Sequence, residues 1–98
     1  MNRETDARLN ELIQKAVAIL RSYGATEVYL FGSGRTGDFD WDHSDLDLAV
    51  RGIAPKDFYS AVGDTMCSIG REVDVLDLDA GTAFGKYLTE HEELARVA

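Results

Sequence analysis

Along the chain, segments whose apolar residues recur with a helical period alternate with short segments whose pattern is typical of strands. Apolar residues recur every three or four positions in the first part of the chain, which predicts a helix over about residues 4–23 that Gly24 ends. The short β-branched and aromatic run 27–31 predicts a buried strand. Apolar and polar residues then alternate with period two over 45–50, which predicts a second strand.

The second half of the chain continues the same alternation of elements. Pro55 suits the first turn of a helix, whose apolar stripe runs on until Gly70. A third strand is predicted over 72–78, and a last helix is predicted from an apolar face that extends from Phe84 to Ala95. This order predicts an α/β (α+β) fold of two layers, in which helices cover a small sheet of three strands or slightly more. Short connections favour a mixed sheet over a parallel one.

Length and composition narrow the class of protein. A chain of 98 residues is expected to form one domain, residues 1–98. With 18 acidic and 10 basic residues the net charge is −8, which repels a nucleic-acid backbone, so direct nucleic-acid binding is not expected. The single cysteine excludes a disulfide framework and a Cys/His zinc cluster, which suits a reducing cytoplasm. No apolar run approaches the roughly 20 residues that would span a membrane.

A glycine-rich loop directly follows the first predicted strand. Backbone N–H groups of Gly32-Ser33-Gly34 could approach an anion, with the Ser33 hydroxyl and the Arg35 guanidinium as further donors. Taken alone, such a stretch is usually only a turn. It lacks the Lys-Ser/Thr pair of a P-loop, and the acidic stretch 38–44 is a poor continuation for a dinucleotide-binding helix. Trp41 within that stretch either anchors the loop or stacks on a base.

Three aspartates form the second half of the pattern. Asp45 and Asp47 lie two apart on a predicted strand, so their side chains share one face. An isolated pair of this kind also fits the solvated face of an edge strand. Asp74, however, interrupts an apolar run in the third strand and would reach the same face if the two strands are neighbours. Clustered carboxylates need a cation, and oxygen ligands suit Mg²⁺ or Mn²⁺. A cation would also allow phosphates and carboxylates to occupy one site.

Together these motifs resemble those of a known superfamily. Gly32-Ser33, Asp45-Leu46-Asp47 and Asp74 are similar in type and order to the signature of nucleotidyltransferases of the DNA polymerase β superfamily. The resemblance covers nearly the whole chain. At this length the chain resembles the minimal nucleotidyltransferase (MNT) group, which is commonly paired with a HEPN-domain protein in prokaryotic toxin–antitoxin modules. Typical members carry an arginine just before the second glycine, where this chain has Thr36.

The resemblance implies a reaction and a role for each motif. A hydroxyl group would attack the α-phosphorus of a nucleoside triphosphate, with ATP expected, and pyrophosphate would leave. Asp45 and Asp47 would hold two Mg²⁺ ions, and Asp74 would complete the site and accept the hydroxyl proton. Residues 32–35 would hold the phosphates. In the MNT group the acceptor is a tyrosine of the HEPN toxin, which AMP transfer silences.

A non-catalytic role remains as the alternative. The small size also fits an antitoxin that only binds its partner, or a nucleotide-binding subunit of a two-chain transferase. Apolar residues predicted on the last helix indicate contact with a partner or with a second copy of the chain.

Overall fold

The fold was derived from a computed structural model that describes residues 3–36, 39, 40, 42 and 45–98, without the side chains of residues 3–6 and 33. The described residues form four helices and four strands. In chain order these are α1 (Arg3–Ser22), β1 (Glu27–Phe31), α2 (Ser33–Thr36), β2 (Leu46–Arg51), α3 (Pro55–Ile69), β3 (Val73–Asp77), a 3₁₀ turn (Leu78–Ala80), α4 (Ala83–Glu90) and β4 (Ala95–Arg96).

The strands form one mixed sheet in the order β3-β2-β1-β4. β1 is antiparallel to both β2 and β4, whereas β2 and β3 are parallel because α3 crosses over between them. In the parallel pair, Asp47 is in register with Asp74. The predicted α/β class and mixed sheet are therefore confirmed, and the second and third predicted strands are neighbours.

The main hydrophobic core lies between α1, α3 and one face of the sheet. Alternation along β2 directs Leu46, Leu48 and Val50 into this core, where all three are fully buried. Helix α1 adds Ala16 and Leu20, which are also completely inaccessible to solvent. Both long helices thus cover the same face, and the opposite face of the sheet is left for α4 and the polar residues of β2 and β3.

A second, smaller core fixes α4 on that opposite face. Its buried members are Phe31, Ala49, Leu78 and Leu88, the last of which is the inward-facing leucine of α4. Helix α4 begins at a capping interaction in which the Gly85 N–H donates to the Thr82 hydroxyl at 3.1 Å. The helix therefore covers part of the face that carries Asp47, next to the carboxyl groups.

The chain departs from the predictions at its C-terminal end. The apolar face predicted a helix through Ala95, but α4 ends at Glu90, Glu92 adopts a left-handed φ of 54°, and residues 95–96 form β4. Beyond β4 the backbone continues to pair with β1, since the Val97 N–H donates to the Val28 carbonyl at 2.9 Å. Hydrogen bonds to the otherwise unpaired edge of β1 therefore determine the structure of these residues, although their apolar pattern is helical. No helix in the described part of the chain is long and apolar enough to cross a membrane.

Candidate active site

The glycine loop lies directly against one of the predicted aspartates. Gly32 follows the last residue of β1 and has a φ of 68°, which other residues rarely adopt. A Cβ atom at this position would also collide with the carboxylate of Asp47. The carbonyl of Gly32 accepts hydrogen bonds from the N–H groups of Arg35 and Thr36, at 3.1 and 3.2 Å, which turns the chain into α2. Glycine is therefore required here by both backbone conformation and close approach.

Asp47 and Asp74 form a pair of interacting carboxyl groups on neighbouring strands. Burial is the main cause that raises the pKa of Asp47 from 3.8 to about 6. The negative charge of Asp74, a side-chain hydrogen bond with Asp74 and the charge of Asp45 raise the pKa further, in that order. A half-buried carboxyl group beside two others is the arrangement that a cation would relieve.

Asp45 lies just before β2 and is exposed, at the edge of this pair. Its charge contributes to the raised pKa of Asp47, so all three predicted aspartates lie in one region. Within the described residues, however, no group of three or more His, Cys, Asp or Glu side chains has an arrangement that could hold a metal ion. The donors present are carboxylate oxygens, as Mg²⁺ requires. The donor chemistry of these residues therefore fits the ion, and two of the three aspartates, Asp47 and Asp74, are adjacent.

Arg35, which is predicted to contact phosphate, pairs in this structure with the segment that follows α4. Its guanidinium donates to the carbonyl of Glu92 at 3.2 Å and lies 3.8 Å from the carboxylate of Glu93. Both side chains are partly exposed. Of the other predicted residues, Gly34 lies in α2, where an added Cβ atom would contact the side chain of Leu30. The Ser33 hydroxyl and Trp41 lie outside the described residues.

A cavity of about 700 Å³ opens over the aspartate pair. Its lining consists of Phe31, Gly32, Asp47, Asp74, Val75, Leu76, Phe84, Tyr87, Leu88 and Glu93. The lining therefore combines three carboxylates with apolar side chains, among them two half-exposed aromatic rings from α4, Phe84 and Tyr87. A cavity of this size with a few convergent polar groups is typical of a small-molecule site.

Sequence reasoning missed the residues of α4 and Glu93 that line this cavity. Phe84 and Tyr87 were assigned to the apolar face of a helix, and apolar faces are ordinarily buried in the core. One signal was present in the sequence. Phe31 is bulky, ends a strand and immediately precedes the glycine loop, so whatever packs on it must lie beside that loop.

Comparison with known families identifies the class of protein. A family model described as a nucleotidyltransferase domain matches residues 13–96, nearly the whole chain. The chain therefore belongs to the nucleotidyltransferase domain family. No curated protein matches the chain significantly.

Several solved structures share the fold of this chain. A toxin–antitoxin structure with AMP-PNP matches at a TM-score of 0.70 and 20% identity, over 87% of this chain and 71% of that one. A mutant of the toxin–antitoxin MntA–HpeT matches at 0.67 and 17% identity, over 87% and 70% of the two chains. A protein described as a nucleotidyltransferase from Sulfolobus solfataricus matches at 0.54 and 21% identity, over 95% and 82%. The expected nucleotidyltransferase domain is thus confirmed by the family model, and these solved structures share its fold.

Proposed function

We propose that the protein is a Mg²⁺-dependent adenylyltransferase that moves AMP from ATP to a hydroxyl group of a toxin partner and thereby acts as an antitoxin. The observation that carries the proposal is the Asp47–Asp74 pair beside Gly32, inside a cavity large enough for a nucleotide. Membership of the nucleotidyltransferase family supports the reaction class. Structural similarity to toxin–antitoxin proteins, one of them with AMP-PNP, supports the partner and the nucleotide.

Each site residue has a role in this proposal. Asp45, Asp47 and Asp74 would hold the metal, either two Mg²⁺ ions or Mn²⁺, which when bound neutralises charge on the phosphates and on the carboxylates. Residues 32–35 would contact the phosphates through backbone N–H groups and the Ser33 hydroxyl, and through Arg35 once it leaves Glu93. Asp74 lies on the edge strand β3, where an incoming acceptor hydroxyl could reach it and give up its proton.

The acceptor proposed is a tyrosine hydroxyl of a HEPN-domain toxin in the cytoplasm. The hydroxyl oxygen would attack the α-phosphorus of ATP, a new phosphorus–oxygen bond to the tyrosine would form, and the bond to the pyrophosphate group would break. The acidic surface of this chain suits a partner that carries basic residues, since its net charge is −8.

The test is transfer of label from α-³²P-ATP to the co-expressed partner in the presence of Mg²⁺. The wild type is compared with the double variant Asp45→Asn/Asp47→Asn, and with Asp64→Asn, which removes one negative charge from α3 on the other face of the sheet. Label that appears with the wild type and Asp64→Asn but is lost in the double variant is expected. A stable complex without label in all three proteins would overturn the catalytic proposal and leave an antitoxin that acts by binding alone.

A further inference from the structure

Two aromatic side chains of α4 remain exposed inside the cavity that contains the aspartates. Phe84 is 53% and Tyr87 is 52% exposed, and neither belongs to the two buried clusters of the core. Exposed aromatic rings keep apolar area in contact with water, and a ligand stacked on them would bury that area. The catalytic proposal assigns no role to either ring.

The two rings are held in place by their neighbours. Phe84 contacts Phe31 edge to face, with ring centroids 5.9 Å apart, and Phe31 is the residue before Gly32. Tyr87 packs on the His91 ring with centroids 4.2 Å apart. Beneath them, Leu88 is buried and anchors α4 to the sheet. The aromatic wall is therefore preorganised, and it begins one residue away from the glycine loop.

We infer that Phe84 and Tyr87 form the platform on which the nucleobase of the bound nucleoside triphosphate stacks. The inference rests on the proposed function, because the ligand whose phosphates lie at Gly32 must place its remaining atoms in the same cavity. The same cavity is lined by the carboxylates of Asp47, Asp74 and Glu93, which disfavour anionic groups without a cation. A neutral planar ring therefore fits against the aromatic side chains, and the phosphates with their metal fit beside Asp47 and Asp74.

Stacking on aromatic side chains depends little on the identity of the base, because every base has a π-face. The platform should therefore add affinity for nucleotides as a class over ligands that contain phosphates alone. Loss of one stacking partner typically weakens binding about 5- to 150-fold. Tripolyphosphate, which has the phosphates of ATP but no base or sugar, should not sense the platform.

The experiment is calorimetric titration of the full chain with Mg²⁺-ATP and, separately, with Mg²⁺-tripolyphosphate. The variants are Phe84→Leu and Tyr87→Leu, with Tyr59→Leu as the control because Tyr59 is 85% exposed on α3. Both platform variants should bind ATP about 5- to 150-fold more weakly and tripolyphosphate unchanged. The control should bind both ligands as the wild type does. Far-UV circular dichroism checks folding, and Tyr87→Leu alone is sufficient if Phe84→Leu fails to fold.

The outcomes separate this inference from the proposed function. Unchanged ATP affinity in the platform variants, with label transfer to the partner intact, would overturn the platform and leave the transferase standing. Unchanged ATP affinity with label transfer lost would assign the rings to the acceptor and would also overturn the inference. Failure of the wild type to bind ATP at all would overturn the proposed function and the platform together.

Discussion

Replacement of Asp47 by asparagine is expected to stabilise the metal-free protein at neutral pH. Burial and the neighbouring charges of Asp74 and Asp45 raise the pKa of Asp47 from 3.8 to about 6. The folded state therefore binds the Asp47 proton more tightly than the unfolded state does, and this contribution to stability falls as the pH rises from about 3.8 to about 6. Above that range the ionised carboxylate imposes its full cost, which asparagine removes.

The magnitude follows from the pKa of Asp47. The difference between 3.8 and about 6 corresponds to about 3 kcal/mol at 1.36 kcal/mol per pKa unit. Asp47 is only partly buried, so solvent screening reduces the expected gain to about 1–2 kcal/mol. In a domain of this size, such a gain raises the melting temperature by roughly 5–15 °C.

The assay is urea unfolding followed by far-UV circular dichroism, in EDTA, at several pH values between 4 and 7.5. The free energy of unfolding of Asp47→Asn should exceed that of the wild type most at pH 7.5, and the difference should shrink towards pH 4. Asp74→Asn should flatten the pH dependence, since it removes a charge that raises the pKa of Asp47. Saturating Mg²⁺ should reduce or reverse the advantage of Asp47→Asn, because only the wild type keeps both carboxylates.

Two results would refute this reasoning. The first is a stability difference between Asp47→Asn and the wild type that does not change with pH, which would mean that Asp47 titrates alike in the folded and unfolded states. The second is a loss of stability in Asp47→Asn at pH 7.5 without metal, which would mean that the carboxylate is held by favourable contacts and not by strain.

Two further predictions concern the loop and its arginine. Gly32→Ala should destabilise the fold by more than about 1 kcal/mol in urea unfolding, because of its φ of 68° and the collision with Asp47. Gly63→Ala, at a helical position with open space around the new methyl group, should stabilise it by about 0.5–1 kcal/mol, and similar effects at both sites would contradict the steric argument. Glu93→Gln removes the ion-pair partner of Arg35, whose remaining contact is the hydrogen bond to the Glu92 carbonyl, and should tighten Mg²⁺-ATP binding roughly two- to fivefold at low salt in calorimetric titration. An affinity unchanged at low salt would show that the ion pair does not compete with phosphate.

Much of the fold could be predicted from the sequence, because local signals and tertiary packing agree in most elements. The apolar period of α1, the proline that starts α3 and the Gly70 that ends it all mark real boundaries. The residues after Glu90 could not be predicted in this way. The apolar positions after Glu90 satisfy a helical period and a strand equally over so short a span, and the pairing with β1 that decides between them is not local.

The candidate site was predictable in part for a similar reason. Period-two alternation placed Asp47 on the face opposite the leucines of β2, and the parallel register with β3 then brings Asp74 beside it. The pairing of Arg35 with Glu93 was not predictable, because it joins residues that are 58 positions apart through a turn that the sequence pattern assigned to a helix. Phe84 and Tyr87 lie on α4, whose helical conformation was predicted, but their exposure in the cavity was not predictable, because the apolar face of a helix is ordinarily buried.

The raised pKa of Asp47 and its close approach to Gly32 distinguish this site from a set of solvated charges. Asp47 is partly withdrawn from water beside Asp74, and its carboxylate occupies the position of the side chain that Gly32 lacks. An aspartate on a solvated edge strand would turn outward and keep an ordinary pKa. Here the loop and the neighbouring strand hold the carboxyl group in the cavity, so its charge is destabilising without a cation and a bound cation would offset that cost. Replacement of Asp47 should therefore raise the stability of the metal-free protein and weaken the binding of metal with phosphate.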